Sequence, residues 1–343
     1  MEHIAVDLGG RESQVCIRDE QGTIVEERRW PTARLGEYFQ KHSSARVVVE
    51  TSAEAFAVAD EALKAGHEVR VVPATLVRCL GVGSRGVKTD KKDAQVLSEA
   101  SCRINLPSVH IPSEQSREWK ALCGARECLV ESRTKLINHT RGWLRTKVKQ
   151  VRKGAAQTFP KRVREKLLST SEGMPMYIER QLCCIEALNE QILLADKELG
   201  SIALENETCR RLMTVPGVGP VTSLRFVAAV DEISRFPSAH PLQSYLGLTP
   251  GEDSSSQRER KTSITKAGAP KLRWALVQAA WAAWRTCPED PMVEWAKEIA
   301  QRRGRRIAIV ALSRKIAGIL HALWSDGTTY DSKRGASPKV KSI

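Results

Sequence analysis

Four carboxylates in the first hundred residues have the types and positions that metal-dependent phosphodiester chemistry requires. Asp7 ends the apolar run HIAVDL, Glu50 ends the β-branched run RVVVE, and Asp90 and Asp93 lie three residues apart in KTDKKDA. Carboxylates at strand ends and at a helix start can converge on one oxygen-lined site that holds Mg²⁺. Such a site would support two-metal cleavage of phosphodiester bonds. For any single acid, the alternative is a solvated carboxylate or a helix cap.

A serine-rich segment is the second candidate for chemistry. GLTPGEDSSSQRERKTSITKAG, residues 247–268, contains three consecutive serines. A serine hydroxyl in it would attack a phosphate while nearby cations stabilise the transition state. The alternative is a polar loop without chemistry. The cations of this segment are Arg258, Arg260, Lys261 and Lys266.

A glycine-rich turn, TVPGVGPVTS at 214–223, is the third candidate. Gly217 and Gly219 flank one apolar residue, as in the hairpin turn of helix-hairpin-helix modules. Bare backbone N–H groups in such a turn meet phosphates. An ordinary turn between two helices is the alternative.

Charge is distributed unevenly along the chain. The 54 Lys and Arg residues against 40 Asp and Glu residues give a net charge of +14. Residues 1–100 carry −2 and residues 171–210 carry −5, whereas 101–170 carry +11 and 211–343 carry +10. Two basic blocks separated by an acidic one indicate a polyanion partner bound at two places. A basic protein without such a partner fits the charge equally well.

Composition excludes several classes of protein. The chain has 343 residues, of which 41% are hydrophobic, so wholesale disorder is excluded. No apolar run approaches the ~20 residues that span a bilayer, and no secretory signal is visible. Nine cysteines without a CxxC pair favour reduced thiols over disulfides or zinc. We therefore expect a cytoplasmic protein that does not contact a membrane.

The elements that must position the acids form an α/β pattern over residues 1–112. Alternating and β-branched runs predict three strands in a meander, followed by two buried strands. Helical stretches precede and follow the last two strands. The predicted strands are 3–8, 14–19, 23–30, 46–50 and 67–74, and the predicted helices are 32–42, 52–66 and 89–103.

A long basic helix is predicted over 113–149, within a middle segment at 113–210. Leu122, Leu129, Leu136 and Trp143 recur every seven residues and form one apolar seam with the residues that follow them. Cations occupy the remaining faces and predict contacts with nucleic acid. These cations are Arg126, Arg133, Lys135, Arg141, Arg145, Lys147 and Lys149.

A break is predicted at 150–175, and a second long helix follows at about 177–203. Its apolar residues have the three-four spacing of a coiled coil, with Asn189 in the seam. Packing of this helix within its own monomer is equally compatible with the spacing. Residues 211–330 are predicted to be mainly helical, and the polar tail 331–343 to be disordered.

The ordered motifs of the chain resemble one family. D…VVVET…KTDKKDA, RTKLINHTRGWL, LMTVPGVGPVTS, YLGLTP, SSS and ITKAGAPKLR are similar to motifs of the IS110/IS1111 DEDD transposases, which are bridge-RNA-guided DNA recombinases. The resemblance runs from about residue 3 to about residue 325. It implies an α/β RuvC-like (ribonuclease H fold) N-terminal domain, a long α-helical coiled-coil middle and a mainly α C-terminal transposase domain.

The resemblance also implies a catalytic set. The family's four acids correspond to Asp7, Glu50, Asp90 and Asp93, which would bind Mg²⁺ or Mn²⁺. The family's nucleophilic serine corresponds to Ser255, the fifth residue after Pro250. Ser254 and Ser256 stay possible because Ser256 stands where the family often has glycine. The implied mechanism is a covalent phosphoserine link to DNA, at a site formed by the acidic domain of one protomer and the serine domain of another.

The implied partners are donor and target double-stranded DNA, a guide (bridge) RNA, and further copies of the chain in a dimer or a dimer of dimers. The alternative reading is a RuvC-type junction endonuclease that uses the four acids without serine chemistry. An actin-like sugar kinase would share VDLGG but requires a second glycine-rich phosphate loop downstream. A non-catalytic nucleic-acid binder leaves the four acids without a role.

Overall fold

A computed structural model describes residues 1–79, 89–168, 173–253 and 261–333. The chain divides into two compact units, Met1–Pro112 and Ser113–Ile343. The predicted middle and C-terminal segments therefore belong to one unit. Ser254, Ser255, Ser256, Arg258 and Arg260 lie outside the described residues, as do residues 334–343 of the predicted disordered tail.

The first unit contains the predicted mixed α/β sheet of five strands. The strand order is β3-β2-β1-β4-β5. The first three strands form an antiparallel meander because tight turns join them, whereas β4 and β5 run parallel to β1. The strands are β1 His3–Asp7, β2 Glu12–Arg18, β3 Ile24–Pro31, β4 Arg46–Glu50 and β5 Glu68–Val72.

Helices cover both faces of this sheet because the central strands alternate between two cores. Ile4, Val6 and Val47 face the core beneath α1 and α2, whereas Ala5 and Val48 face the core beneath α3 and α4. The helices are α1 Leu35–Phe39, α2 Ala55–Lys64, α3 Ala74–Cys79 and α4 Asp90–Arg103.

The second unit begins with a pair of long antiparallel helices. Of these, α5 spans Glu114–Thr146 and α7 spans Met176–Glu205. The side chain of Ser113 caps α5 by accepting a hydrogen bond from the backbone N–H of Ser116. A short helix, α6 Phe159–Leu168, packs on the distal end of the pair, inside the segment that the sequence predicts to be a break. Within one chain, the heptad spacing thus serves to pack α5 against α7.

Six further helices form the rest of the second unit. Their core surrounds α13, in which Leu312, Ile316 and Leu320 are fully buried. By length and composition, α13 is long and apolar enough to cross a membrane, contrary to the prediction that no apolar run approaches the length of a membrane span. Half of its apolar stretch is buried inside the unit. The helices are α8 Glu207–Leu212, α9 Pro220–Val230, α10 Ala239–Tyr245, α11 Pro270–Thr286, α12 Pro291–Arg303 and α13 Arg305–Asp326.

A β-hairpin interrupts this helical region and was not predicted from the sequence. Strand β6, Pro250–Glu252, pairs antiparallel with β7, Lys261–Ile264. The three serines belong to the connection between these two strands.

Candidate functional site

Asp7 and Glu50 end neighbouring parallel strands. The register pairs Val6 with Val49, so continuing it by one residue aligns Asp7 with Glu50. Side chains two residues apart share a face, which places Asp7 with Ala5 and Glu50 with Val48 on the face that α4 covers. The two acids therefore lie side by side at one edge of the sheet, as the strand ends in the sequence predict.

Helix α4 runs antiparallel to β1 across that face. Ser101 Oγ lies 2.7 Å from His3 Nδ1, and Ser98 Oγ lies 3.2 Å from Cys16 Sγ. From Ser101 to Asp93 the helix covers eight residues, or about 12 Å, and from His3 to Asp7 the strand covers four residues, or about 13 Å. The two lengths match, so Asp93 lies at about the same level as Asp7 along the direction of β1.

Burial separates the two acids of α4. Asp93 is 7% exposed and faces the sheet with Ala94 and Leu97, whereas Asp90 is exposed in the first turn. Thr89 caps the helix by accepting a hydrogen bond from the N–H of Lys92. The donor set suits Mg²⁺ because it consists of carboxylates. Within the described ranges, however, no three His, Cys, Asp or Glu side chains lie close enough to hold a metal ion.

A fifth carboxylate on this face, Glu27 of β3, was not singled out from the sequence. Its Oε2 forms an ion pair with Lys91 Nζ at 2.8 Å, and its Oε1 accepts a hydrogen bond from the side-chain amide of Gln95. The hydrogen bond from Lys91 holds the pKa of Glu27 below its usual range. Glu27 therefore fixes α4 on the sheet, and this ion pair gives a role to Lys91, the second lysine of KTDKKDA.

The turn after Asp7 is fixed by close packing of its backbone. A Cβ atom at Gly9 would lie 2.3 Å from the carbonyl oxygen of Glu12, so only glycine fits there. Thr32 Oγ1 donates to the Gly9 carbonyl at 2.6 Å and lies 2.8 Å from the buried Ser13 hydroxyl. These contacts hold the end of β1 in place.

Two glycines and one arginine fix the base of the β6–β7 hairpin, called the serine hairpin below because its connection contains the three serines. Gly247 and Gly268 both have positive φ, and a Cβ atom on either would lie within 2.3 Å of a carbonyl oxygen on the other side of the base. Arg273 Nη1 donates to the carbonyls of Leu246 and Ala267, each at 2.9 Å. The sequence analysis did not assign a role to Arg273. The sequence feature that could have indicated one is its place at the end of the family motif ITKAGAPKLR.

The other cations of the serine segment are only partly described. Lys261 is in β7, and Lys266 is exposed with a φ of 57°. The N–H of Lys266 donates to the carbonyl of Gly247. Arg258 and Arg260 lie outside the described ranges, so their predicted role beside the serines stays a prediction.

Two arginines predicted on the outer faces of α5 lie in the seam with α7, which corrects the sequence interpretation. Arg126 Nε donates to Asp196 at 2.8 Å. Arg133 is 9% exposed, and its Nη1 donates to Asn189 at 2.9 Å. Both occupy the three-four positions between Cys123 and Ile137, so they form a polar layer inside the helix pair.

The remaining cations of the predicted basic helix lie on α5 or just beyond it, because α5 ends at Thr146 and not at residue 149 as predicted. Lys135, Arg141, Arg145 and Lys147 are exposed, and Lys149 is partly exposed. The guanidinium of Arg141 lies 5.3 Å above the ring centre of Phe159.

The glycines of TVPGVGP differ in environment. Gly217 has a φ of 82°, and a Cβ atom there would lie 2.1 Å from the carbonyl oxygen of Ala279 in α11. Gly217 is therefore required for packing. Gly219 caps α9, and no described atom lies within 4 Å of the position of its Cβ atom, so it is the one that leaves room for a ligand.

Comparison with known proteins agrees with these features. Residues 4–148 match the family model of the IS110 DEDD transposase domain, and residues 209–292 match the model of the IS116/IS110/IS902 transposase family. The transposase for insertion sequence element IS1111A of Coxiella burnetii is 31% identical over 95% of this chain and 90% of its own length. A probable family 20 transposase of Pseudomonas aeruginosa is 28% identical over 96% of this chain and 98% of its own length.

A sheet edge with paired acids, a mostly helical second unit and two transposase models in the same order define the class as a transposase. With a full-length relative above 30% identity, the chain belongs to the IS116/IS110/IS902 family of transposases, enzymes that cut and rejoin DNA.

Proposed function

We propose that this transposase cuts and rejoins donor and target DNA through a covalent phosphoserine at Ser255, assisted by Mg²⁺ at Asp7, Glu50, Asp90 and Asp93 and directed by a bridge RNA. The observation that carries the proposal is the alignment of Asp7 with Glu50 at the ends of β1 and β4, with the buried Asp93 of α4 at about the same level. Carboxylates from two strands and one helix thus lie toward the same end of one face of the sheet, and binding of a metal ion would bring them closer together.

The strand order supports a RuvC-like first unit. A five-stranded sheet in the order 3-2-1-4-5, with only β2 antiparallel to its neighbours, matches the ribonuclease H fold that the family resemblance implies. In that arrangement the acids lie at the end of the central strand and its parallel neighbour, which is where Asp7 and Glu50 are.

The four acids would hold the metal ion. When bound, Mg²⁺ would neutralise phosphate charge and polarise the bond to be broken. The residues of the chain have separate tasks at this site: the strand ends fix Asp7 and Glu50, the Glu27–Lys91 ion pair fixes α4, and burial keeps Asp93 facing the sheet.

The serine step is a transesterification, so it needs no external energy. The Oγ atom of Ser255 forms a bond to phosphorus, the bond from phosphorus to one deoxyribose oxygen breaks, and the serine proton passes to that oxygen. A hydroxyl at another DNA end then attacks the phosphoserine, and the serine recovers its proton. Cations of the serine segment, including Arg258, Arg260, Lys261 and Lys266, would stabilise the charge that develops on the phosphate.

Exposed cations support binding of DNA and RNA. Lys135, Arg141 and Arg145 lie on α5, and Lys147 and Lys149 follow its last residue. Contacts of phosphates with such cations supply affinity without sequence information. Base pairing with a bridge RNA would supply the sequence choice. The active assembly is a dimer or a dimer of dimers in the bacterial cytoplasm, in which a serine from one copy meets the acids of another.

The deciding experiment looks for the covalent protein–DNA adduct on denaturing gels. Its substrate is a labelled DNA duplex in which the two ends of the insertion element are joined. Ser255→Ala is expected to abolish the adduct, while Ser254→Ala and Ser256→Ala retain it. Loss only in a neighbouring variant would move the nucleophile by one residue. An adduct in all three variants, or cleavage without any adduct, would refute the serine mechanism, and the second result would support a RuvC-type junction endonuclease.

The guide role is tested by recombination of donor and target DNA with and without RNA transcribed from the flanks of the gene. We expect recombination only when that RNA is present. Equal recombination after ribonuclease treatment would leave a recombinase that acts on DNA alone.

A further inference from the structure

A cationic groove lies beside the serine hairpin within the second unit. It has a volume of about 1110 Å³ and is bounded by β6, β7, α10, α12 and α13. Four cations line it, and no Asp or Glu does so among the described residues. The four cations are Arg303, Arg306, Arg314 and Lys315.

Two of these arginines lie at the corner between α12 and α13. Arg303 and Arg306 flank Gly304, which has a φ of 84° and permits the sharp change of direction. Both side chains are exposed, and neither forms an ion pair or hydrogen bond with a described residue. They belong to the run RRGRR, to which sequence analysis assigned no role.

The other two cations are held in position by neutral partners. Arg314 Nε donates to Gln243 Oε1 at 2.9 Å, and the amide nitrogen of Gln243 donates to the Arg314 carbonyl at 3.0 Å. Lys315 Nζ lies 4.6 Å from the ring centre of Trp295. Burial lowers the pKa of Lys315, so its charge is incompletely solvated and an anion beside it would be favourable.

The floor of the groove is apolar. Leu248, Ile264 and Val310 line it, and Ile307 stays 47% exposed. Apolar surface flanked by cations suits a polymer whose sugars and bases lie against the floor while its phosphates meet the cations. A free small anion would leave the apolar floor unused.

We propose that this groove binds the phosphodiester backbone of the DNA strand that enters the serine segment. Pro250, Thr262, Ser263 and Ile264 of the hairpin form one wall of the groove, so a DNA strand bound there lies beside the two β-strands that the serine-containing segment connects. The inference rests on the proposed function, because it assigns the bound strand to the serine reaction.

The length of the groove fits several phosphates. Arg306 and Arg314 are eight residues apart on α13, which is about 12 Å along the helix. One strand of DNA carries one phosphate per about 3.4 Å of axis, so this distance spans about three phosphates.

The salt dependence of DNA binding tests the groove independently of chemistry. In Arg303→Gln/Arg306→Gln, the slope of log K against log salt for the labelled duplex is expected to fall by about 1.8, or about 0.9 for each lost phosphate contact. The matched control Arg285→Gln/Lys333→Gln removes two exposed cations that do not line the groove and should leave the slope unchanged. An equal slope in wild type and groove variant would overturn the inference, as would an equal fall in both variants.

Photocrosslinking locates the bound strand. Ile307→p-benzoylphenylalanine is expected to crosslink the duplex close to the cleavage position, while the same probe at the exposed Leu193 of α7 should not. A crosslink at 307 to the bridge RNA and not to DNA would overturn the assignment to DNA.

Failure of this inference and failure of the serine mechanism give different results. If the groove does not bind DNA, the slope is unchanged while Ser255→Ala still abolishes the adduct. If the serine mechanism is wrong, the adduct is absent from every protein or persists in all three serine variants, while the slope and the crosslink keep their dependence on the groove.

Discussion

The two units of the molecule position their candidate reactive groups by different means. In the first, the register of a sheet aligns Asp7 with Glu50, and apolar cores on both faces hold that register. In the second, the base of the serine hairpin depends on two glycines with positive φ and on the hydrogen bonds of Arg273. A site of the first kind tolerates an isosteric change of a reactive side chain without loss of fold. A site of the second kind depends on its backbone, so a single methyl group can disrupt it.

Asp93→Asn should produce the largest effect, and it should affect chemistry alone. The fold should survive because the amide has the shape of the carboxylate, but a ligand charge is lost. Substitution of a residue that only supports a metal ligand costs about 10–100-fold in activity, and loss of a ligand itself is expected to reduce DNA cleavage by more than that. Cleavage rates in Mg²⁺ and thermal unfolding of both proteins check this.

Glu27→Gln is the matched control on the same face of the sheet. It removes an acid whose partners are Lys91 and Gln95 and which only positions α4, so cleavage should fall much less than in Asp93→Asn, with a stability cost of about 1 kcal/mol or less. Equal loss of cleavage in the two variants would contradict the assignment of Asp93.

Gly247→Ala should damage the serine hairpin through its backbone. An added Cβ atom would lie 2.3 Å from the Ala267 carbonyl oxygen, and the φ of 65° is unfavourable for alanine. We expect a loss of about 2–4 kcal/mol in the free energy of unfolding and a matching loss of DNA adduct. Urea denaturation and the adduct gel measure the two effects.

Gly219→Ala serves as the comparison because its Cβ atom would enter open space. Its cost should not exceed about 1 kcal/mol. If Gly247→Ala were as mild as Gly219→Ala, the dependence of the hairpin on this glycine would be wrong.

Glu127→Gln should weaken the second unit in a way that depends on pH. Burial alone would raise the pKa of Glu127, but Arg225 and Lys271 outweigh it and hold the pKa below its ordinary value of 4.5. The stabilisation is therefore present above the unfolded pKa and is lost as the pH falls through the folded one.

We expect Glu127→Gln to be about 1–3 kcal/mol less stable than wild type at pH 7, with the difference closing below about pH 4. Unfolding in urea across that range measures it. Glu131→Gln removes an exposed acid that also pairs with Lys271, and it should cost less than about 1 kcal/mol. A difference that does not vary with pH would show that the carboxylate charge is not responsible.

Arg133→Leu/Asn189→Leu should have the smallest effect on stability. Replacing both members of a buried polar pair with apolar side chains is often neutral or stabilising. We expect the free energy of unfolding to stay within about 1 kcal/mol or to rise. Asn189→Leu alone would leave the Arg133 guanidinium buried without its acceptor and should cost about 3 kcal/mol. If the double variant were less stable than Asn189→Leu, the pair would be a net source of stability.

Much of the first unit could be predicted from local sequence. The strand ends at Asp7 and Glu50 follow from apolar and β-branched runs that stop at a charge. The direction of α4, which brings Asp93 to the level of Asp7, depends on contacts such as that of Ser101 with His3, 98 residues away. No local pattern records such contacts.

The errors in the second unit have physical causes. Strands β6 and β7 are three and four residues long and include Pro250 and Gly251, so they carry no strand pattern. Arg133 was predicted to be exposed because a hydrophobic pattern cannot show that a charged residue has a partner across the seam. The cations of RRGRR were missed because their position beside the hairpin depends on the corner at Gly304.

The polar layer between α5 and α7 has a consequence for the register of this helix pair. Apolar clusters lie at both ends of the pair, and each alone would tolerate sliding by one heptad. Such a slide would separate Arg126 from Asp196 and place charge against the apolar residues of α7. The polar layer therefore fixes the register of the two helices, and with it the position of the distal end of a pair about 50 Å long relative to its base.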